Sequence, residues 1–171
     1  MVAAAPTRDA TVWAALAEIA DPEIPAISLV DLGVIRGFGF SPLPGRGEQL
    51  TVELMPTFVG CPAIEVMRQL IGERLGGMAD EVSVQLTFTE PWTSDRISPA
   101  GREALRRSGF APPVHIGSTF TGDSLTVLPI ATCPYCGSRN TALENPFGPT
   151  LCRAIYHCAE CRQPFEAFKP V

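Results

Sequence analysis

Positive charge is scarce in this chain: 13 Lys and Arg stand against 18 Asp and Glu, for a net charge of −5 at pH 7 and a pI near 5.0. A protein that grips phosphate backbones without reading sequence needs the opposite balance along one face, so nucleic acid is not an expected partner. Long apolar runs are missing too. No segment offers about 18 uninterrupted apolar residues, and Met1-Val2-Ala3-Ala4-Ala5-Pro6 has no positive stretch leading into a hydrophobic one. No membrane partner is expected, and the expected location is the cytoplasm, where thiols stay reduced and disulfide staples do not persist. Repeats and low-complexity tracts are absent, and the 17 prolines punctuate turns. There is no G-x-S-x-G elbow, Walker loop or E-x-x-H pair, which leaves a catalytic triad and phosphate-loop chemistry without support. The two histidines, His115 and His157, read as polar surface or turn residues rather than ligands.

What the chain does have is cysteine in a pattern. Cys133-Pro134-Tyr135-Cys136 and Cys158-Ala159-Glu160-Cys161 are two C-x-x-C pairs with 21 residues between Cys136 and Cys158. Two such knuckles let four thiolates converge tetrahedrally on one Zn²⁺. A redox pair of the thioredoxin kind calls for one C-x-x-C beside a β-α-β pattern, and a disulfide module calls for a secreted context; neither matches. A closed four-thiolate site has no open coordination position, so its expected role is structural.

With 171 residues, 46% hydrophobic and 18% charged, the chain is long enough for one main domain and a small appendage. Val12, Leu16 and Ile19 predict a helix over Thr11 to Ala20, ended by Asp21-Pro22. Val34 to Phe40 and Leu50 to Leu54 read as strands around a long loop, Ser41 to Gly47. Ile64, Met67, Ile71 and Leu75 predict a second helix from Pro62 to Leu75, stopped by Gly76-Gly77. Val82, Val84, Leu86 and Phe88 alternate with polar residues as a half-buried strand. Ser98-Pro99 and Ser108-Gly109 bracket a third helix, and Thr119 to Ile130 is strand-like. The expected fold is α+β: a two-layer α-β-β-α-β-α domain with helices on one face of a small mixed sheet, plus a β-rich zinc ribbon. The expected domains are 1–110 and 131–171, joined by a connecting segment, 111–130.

Outside the ribbon, four groups of residues carry candidate chemistry. Pro62 as the first helical residue makes Cys61 an N-cap, where unpaired N–H groups and the helix dipole favour a thiolate nucleophile or soft-metal ligand; the alternative is an inert cysteine packing as a small hydrophobe. One cysteine cannot hold a cluster, so further ligands must come from a second copy of the chain, a partner, or residues such as Asp21 and Glu23. Those two carboxylates are either a metal or acid/base pair or a helix-ending turn. Arg96, Arg102, Arg106 and Arg107 form either a docking patch for an acidic or phosphate-bearing partner, such as an acyl-CoA, or a solvated face. Cys152 matches neither knuckle; it packs in the ribbon or adds a second thiolate near Cys61.

Asp21-Pro22-Glu23-Ile24-Pro25, Asp31-Leu32-Gly33 and Gly60-Cys61-Pro62 together resemble the SufT-type iron–sulfur assembly domain over roughly the first 110 residues. With Thr93-Ser94-Asp95, Gly109-Phe110-Ala111-Pro112-Pro113, Cys133-Pro134-Tyr135-Cys136-Gly137-Ser138 and Phe147-Gly148-Pro149-Thr150-Leu151-Cys152, nearly the whole chain is similar to the PaaD (PaaJ) family. These are D components of the phenylacetyl-CoA 1,2-epoxidase system of aerobic phenylacetate degradation. The resemblance implies that Cys61 is the reactive cysteine, a ligand for transient iron or an iron–sulfur cluster. It also implies partners: a catalytic subunit with a di-iron site and a reductase with flavin and a [2Fe–2S] cluster. The chain itself has neither a carboxylate-rich four-helix bundle nor a flavin or nicotinamide fingerprint, so it is not expected to catalyse oxygenation alone. A maturation role and a structural-subunit role both accord with this, and a homodimer is one way for a lone ligand per chain to complete a cluster site.

Overall fold

A computed structural model of the chain describes residues 7–45, 47–58, 60–114 and 130–169. They divide into two units, the described residues within 1–56 and 62–91 forming one, and those within 57–61 and 92–171 the other. His115 and nearly all of the strand-like segment from Thr119 lie outside the described residues.

In the first unit, α1 (Arg8–Ala17) opens on an N-cap, the Thr7 hydroxyl accepting from the Ala10 amide at 3.2 Å. Val12, Ala15 and Leu16 are its buried stripe. The helix starts and ends earlier than the apolar periodicity predicts, because Thr7 sets where it begins. α2 (Leu29–Leu32) is one turn, capped by Ser28 and stopped by Gly33 at φ 75°; four residues are too few for periodicity to reveal. β1 (Ile35–Leu43) and β2 (Gly47–Leu54) form an antiparallel hairpin. Ser41, Pro42, Leu43 and Gly47 all pair, so the strands take up most of the expected long loop. Pro42 is tolerated because β1 is an edge strand and proline costs no ladder bond on the open side.

β2 runs parallel to β3 (Glu81–Leu86) after crossing over through α3 (Ile64–Leu75), giving a mixed sheet in the order β1-β2-β3. Leu50, Val52 and Leu54 face inward as the alternation requires, and Ile64, Met67, Ile71 and Leu75 bury the matching stripe of α3. The unit is thus α+β, with helices packed on a small mixed sheet. The third strand corrects one expectation. β3 stops at Leu86, the partner of the last β2 residue, so Phe88 runs past the sheet and is 56% exposed.

The second unit carries α4 (Pro99–Arg107), a 3-10 turn at Ser94–Arg96, and four strands. Ser98 caps α4 through its hydroxyl, which accepts from the Gly101 amide at 2.9 Å; Pro99 is its first residue and Gly109, at φ 84°, follows its end, all as predicted. β4 (Phe110–Ala111), β5 (Thr141–Asn145), β6 (Arg153–Cys158) and β7 (Pro164–Phe168) form a sheet in the order β4-β7-β6-β5. β4 lies parallel to β7 through Phe110↔Glu166 and Ala111↔Ala167, and the Trp92 ring packs 5.7 Å from Phe168. The stretch from Trp92 to Phe110, expected within the first domain, packs with the ribbon unit, as does Ala111 of the expected connecting segment. One buried cluster of the unit gathers Ala111, Ala131, Ala154 and Ala167 with Tyr156 and Phe165 around Cys133 and Cys158, and Trp92, Ile97, Leu105 and Phe168 are buried as well.

Candidate metal centre

The four cysteines of the two knuckles come together. Cys133 Sγ lies 3.7 Å from Cys161 Sγ and Cys136 Sγ lies 3.6 Å from Cys158 Sγ, with all four sulfurs within 4.8 Å of one another. The knuckles repeat one backbone design. The Cys133 amide donates to Ser138 O and the Gly137 amide to Cys133 O; the Cys158 amide donates to Gln163 O and the Arg162 amide to Cys158 O, all at 2.9–3.0 Å. Each turn closes through a left-handed residue four positions after its first cysteine, Gly137 at φ 75° and Arg162 at φ 60°.

The donor set suits a single soft cation. Sulfurs about 2.3 Å from one Zn²⁺ in tetrahedral array lie about 3.8 Å apart, close to the 3.7 and 3.6 Å of the Cys133–Cys161 and Cys136–Cys158 pairs. Backbone N–H groups also face the sulfurs: those of Cys161 and Glu160 bring the Cys158 thiol down to about 7. Burial, the largest influence on Cys161, pushes that thiol up to about 12. A bound cation overrides that rise, since a coordinating thiol is held deprotonated. Cys133 and Cys158 sit in the core and Cys136 faces solvent, so the centre is anchored from inside and open along one side.

Residues 121–169 match the family model of the PaaD zinc beta ribbon domain, and residues 9–86 match that of an iron–sulfur cluster assembly protein. A protein of Escherichia coli (strain K12), named as the D component of 1,2-phenylacetyl-CoA epoxidase, is 37% identical over 169 residues, 96% of this chain and 94% of its own length. The chain belongs to the PaaD family. Two solved structures are also similar. A domain of unknown function from Bacillus anthracis shares 21% identity over 57% of this chain and 91% of its own, with TM-score 0.48. A conserved hypothetical protein of Thermotoga maritima shares 26% identity over 61% and 98%, with TM-score 0.45.

Cys61 is placed differently from its expected cap position. In this PaaD-family chain α3 begins at Ile64 with Ala63 as N-cap, so Cys61 sits before the cap; its amide donates to Phe58 O at 3.1 Å in a tight turn. Pro62 prefers that turn to helix dihedrals for the residue before it. The thiol is half-buried, and Thr57–Cys61 packs as part of the ribbon unit. Asp21 is buried, its Oδ1 accepting from the Glu23 and Ile24 amides at 2.9 and 2.7 Å: the turn reading describes it, and Glu23 is half-buried beside it.

The four arginines do not form one face. Arg102 turns inward and donates to the carbonyl oxygens of Ile97, Ser94 and Pro113, the second at 2.6 Å. Burial lowers its pKa from the ordinary arginine value. Arg106 pairs with Glu103 at 2.7 Å and Arg107 approaches the same carboxylate at 3.9 Å, so α4 satisfies much of its own charge. Cys152 is half-buried beside the Thr150 hydroxyl, 3.1 Å away, and is outside the four-sulfur cluster. His157 lies on β6 with Ala142 and Pro164 as strand partners. It does stand three residues before Glu160, but across a strand end and a knuckle rather than on a helix. No helix among the described residues is long and apolar enough to cross a membrane.

Sequence reasoning overlooked Asn140. Its contacts run to both knuckles, a role that comes from the fold and has no motif of its own.

Proposed function

We propose that this chain is an accessory maturation protein of a phenylacetyl-CoA 1,2-epoxidase in aerobic phenylacetate degradation, carrying iron or an iron–sulfur cluster as cargo on Cys61. The observation that supports it most directly is the joining of two family matches in one chain, an iron–sulfur assembly region and a PaaD ribbon. The likeness to a relative named for the epoxidase points the same way. The four knuckle cysteines hold one structural Zn²⁺ in this reading. Their sulfurs are close enough for a single ion, and they leave it no vacant position for cargo. Cys61 is the thiol assigned to exchange: a ligand of the recipient replaces the Cys61 sulfur on the metal, with no net change in oxidation state. The recipients are the oxygenase and reductase components in the cytoplasm, and a homodimer completes the cargo site if no partner does.

Metal and sulfide analysis of anaerobically purified protein, wild type against Cys61→Ala, tests this. One zinc in both and iron in the wild type alone is the expected result. Full cofactor loading of the epoxidase components at the wild-type rate with Cys61→Ala would remove the delivery role.

The second reading is a stoichiometric, non-catalytic structural subunit, favoured by the relative's being named as a part of the epoxidase itself. Gel filtration with the other components separates the two: a stable complex supports the subunit, transient association the maturation factor.

A further inference from the structure

Asn140 hydrogen-bonds, through its backbone and its side chain, to both cysteine knuckles. Its amide donates to the Ser138 hydroxyl at 3.0 Å, within the first knuckle. Its carbonyl accepts from the Ala159 amide at 2.9 Å and its side-chain Nδ2 donates to the Glu160 carboxylate at 3.0 Å. Ala159 and Glu160 are the two residues between Cys158 and Cys161.

We propose that Asn140 is a positioning residue of the metal centre, clamping the two C-x-x-C turns at metal-ready spacing. The inference rests on the reading of the four cysteines as one metal site. Turns with 21 residues between them start with a loop-closure cost, and an ion that must also gather its ligands is bound more weakly than one that finds them gathered. β5 and β6 bring the knuckles near by pairing Thr141 with Cys158, but a ladder sets register rather than the tilt of the turn beyond it. Asn140, immediately before β5, supplies that second constraint. Its Nδ2 also offsets the Glu160 negative charge, which otherwise stands beside an anionic tetrathiolate.

The test is a double-substitution cycle on the full chain, Asn140→Asp, Glu160→Gln and both together. Zn²⁺ affinity and release are read by competition with a chromogenic chelator, and geometry by the absorption of the Co²⁺-substituted protein. Asn140→Asp puts two carboxylates face to face; affinity falls about three- to tenfold and release quickens, while the Co²⁺ spectrum stays that of a tetrahedral tetrathiolate. With both substitutions, donor and acceptor exchange places, and affinity returns to within about twofold of Glu160→Gln alone. An Asn140→Asp loss of the same size in both backgrounds, or no loss in either, overturns the proposal. If Asn140→Asp does not fold, Glu160→Ala against Glu160→Gln isolates the acceptor at an exposed site. Several-fold faster release from Glu160→Ala supports the clamp, and equal release overturns it. The wild-type arm keeps the two levels apart: wild type without metal defeats the metal reading itself, and wild-type binding without the cycle's pattern defeats only the role of Asn140.

Discussion

Gly137 and Arg162 hold the same place in the two knuckles, four residues after Cys133 and Cys158, both in the left-handed region at φ 75° and 60°. Each donates its amide to the carbonyl of its own first cysteine. Glycine adopts this conformation freely, whereas a side chain there costs on the order of 1 kcal/mol. The knuckles are therefore matched in geometry and unequal in strain. Arg162→Gly is expected to stabilise the metal-loaded protein by about 0.5–1 kcal/mol and Gly137→Ala to destabilise it by about 1 kcal/mol. Thermal melts of the two variants check this, and a lower midpoint for Arg162→Gly would contradict it.

The buried cluster around Cys133 and Cys158 is rich in alanine, so an ion held by the four thiolates is expected to add much of the stability of this part of the unit. Stripping the metal with a chelator, or replacing Cys158 with Ser, is expected to remove amide-exchange protection at Ala154 and Tyr156. Protection at Leu50 and Val52, in the larger aliphatic core of the first unit, is expected to persist. Equal protection of the ribbon amides with and without metal would count against a structural ion.

Arg102 joins the backbone carbonyls of Ser94 and Ile97, which precede α4, to that of Pro113, which follows it. Arg102→Met leaves those acceptors without their donor and is expected to cost about 2–4 kcal/mol in denaturant unfolding. Arg107→Ala, which loses one long and exposed ion pair, is expected to change stability by less than about 0.5 kcal/mol. Equal effects of the two substitutions would show that the inward hydrogen bonds do not matter.

Asp21 Oδ1 accepts from two backbone amides at a buried turn, and only the acceptor oxygen is needed for that. Asp21→Asn, which keeps an oxygen there, is expected to cost less than about 1 kcal/mol, whereas Asp21→Ala is expected to cost about 1–3 kcal/mol, because it leaves the Glu23 and Ile24 amides unsatisfied. Urea midpoints compare the three proteins; a larger loss for Asp21→Asn than for Asp21→Ala would point to a role for the charge itself.

Where a signal is carried by neighbours in sequence, it was readable in the chain. Ser98, Pro99 and Gly109 bracket α4 because capping and φ preferences act within a turn, and Leu50, Val52 and Leu54 face inward because strand pleating has a period of two. Where the deciding partner is distant, no local pattern carries it. Phe88 continues a good alternation, yet β2 has no residue left to pair beyond Leu54. Cys61-Pro62 resembles a helix start, yet α3 opens two residues after Pro62, and the cysteine packs with a unit whose other residues begin at Trp92. Arg102 looks like one of four surface cations until its carbonyl partners are placed around it.

The amino-acid sequence by itself determined that four thiolates form two knuckles, because two residues between cysteines and a left-handed closing position are a local geometry. It also carried the family, through motifs spread along most of the chain. Only the tertiary structure decided that the knuckles lie within 4.8 Å of each other, that Asn140 ties them, and that Ala111 pairs with Ala167 to draw α4 into the ribbon unit. Hydrogen bonds between residues 20 or more positions apart depend on the whole packing, and no local preference encodes them.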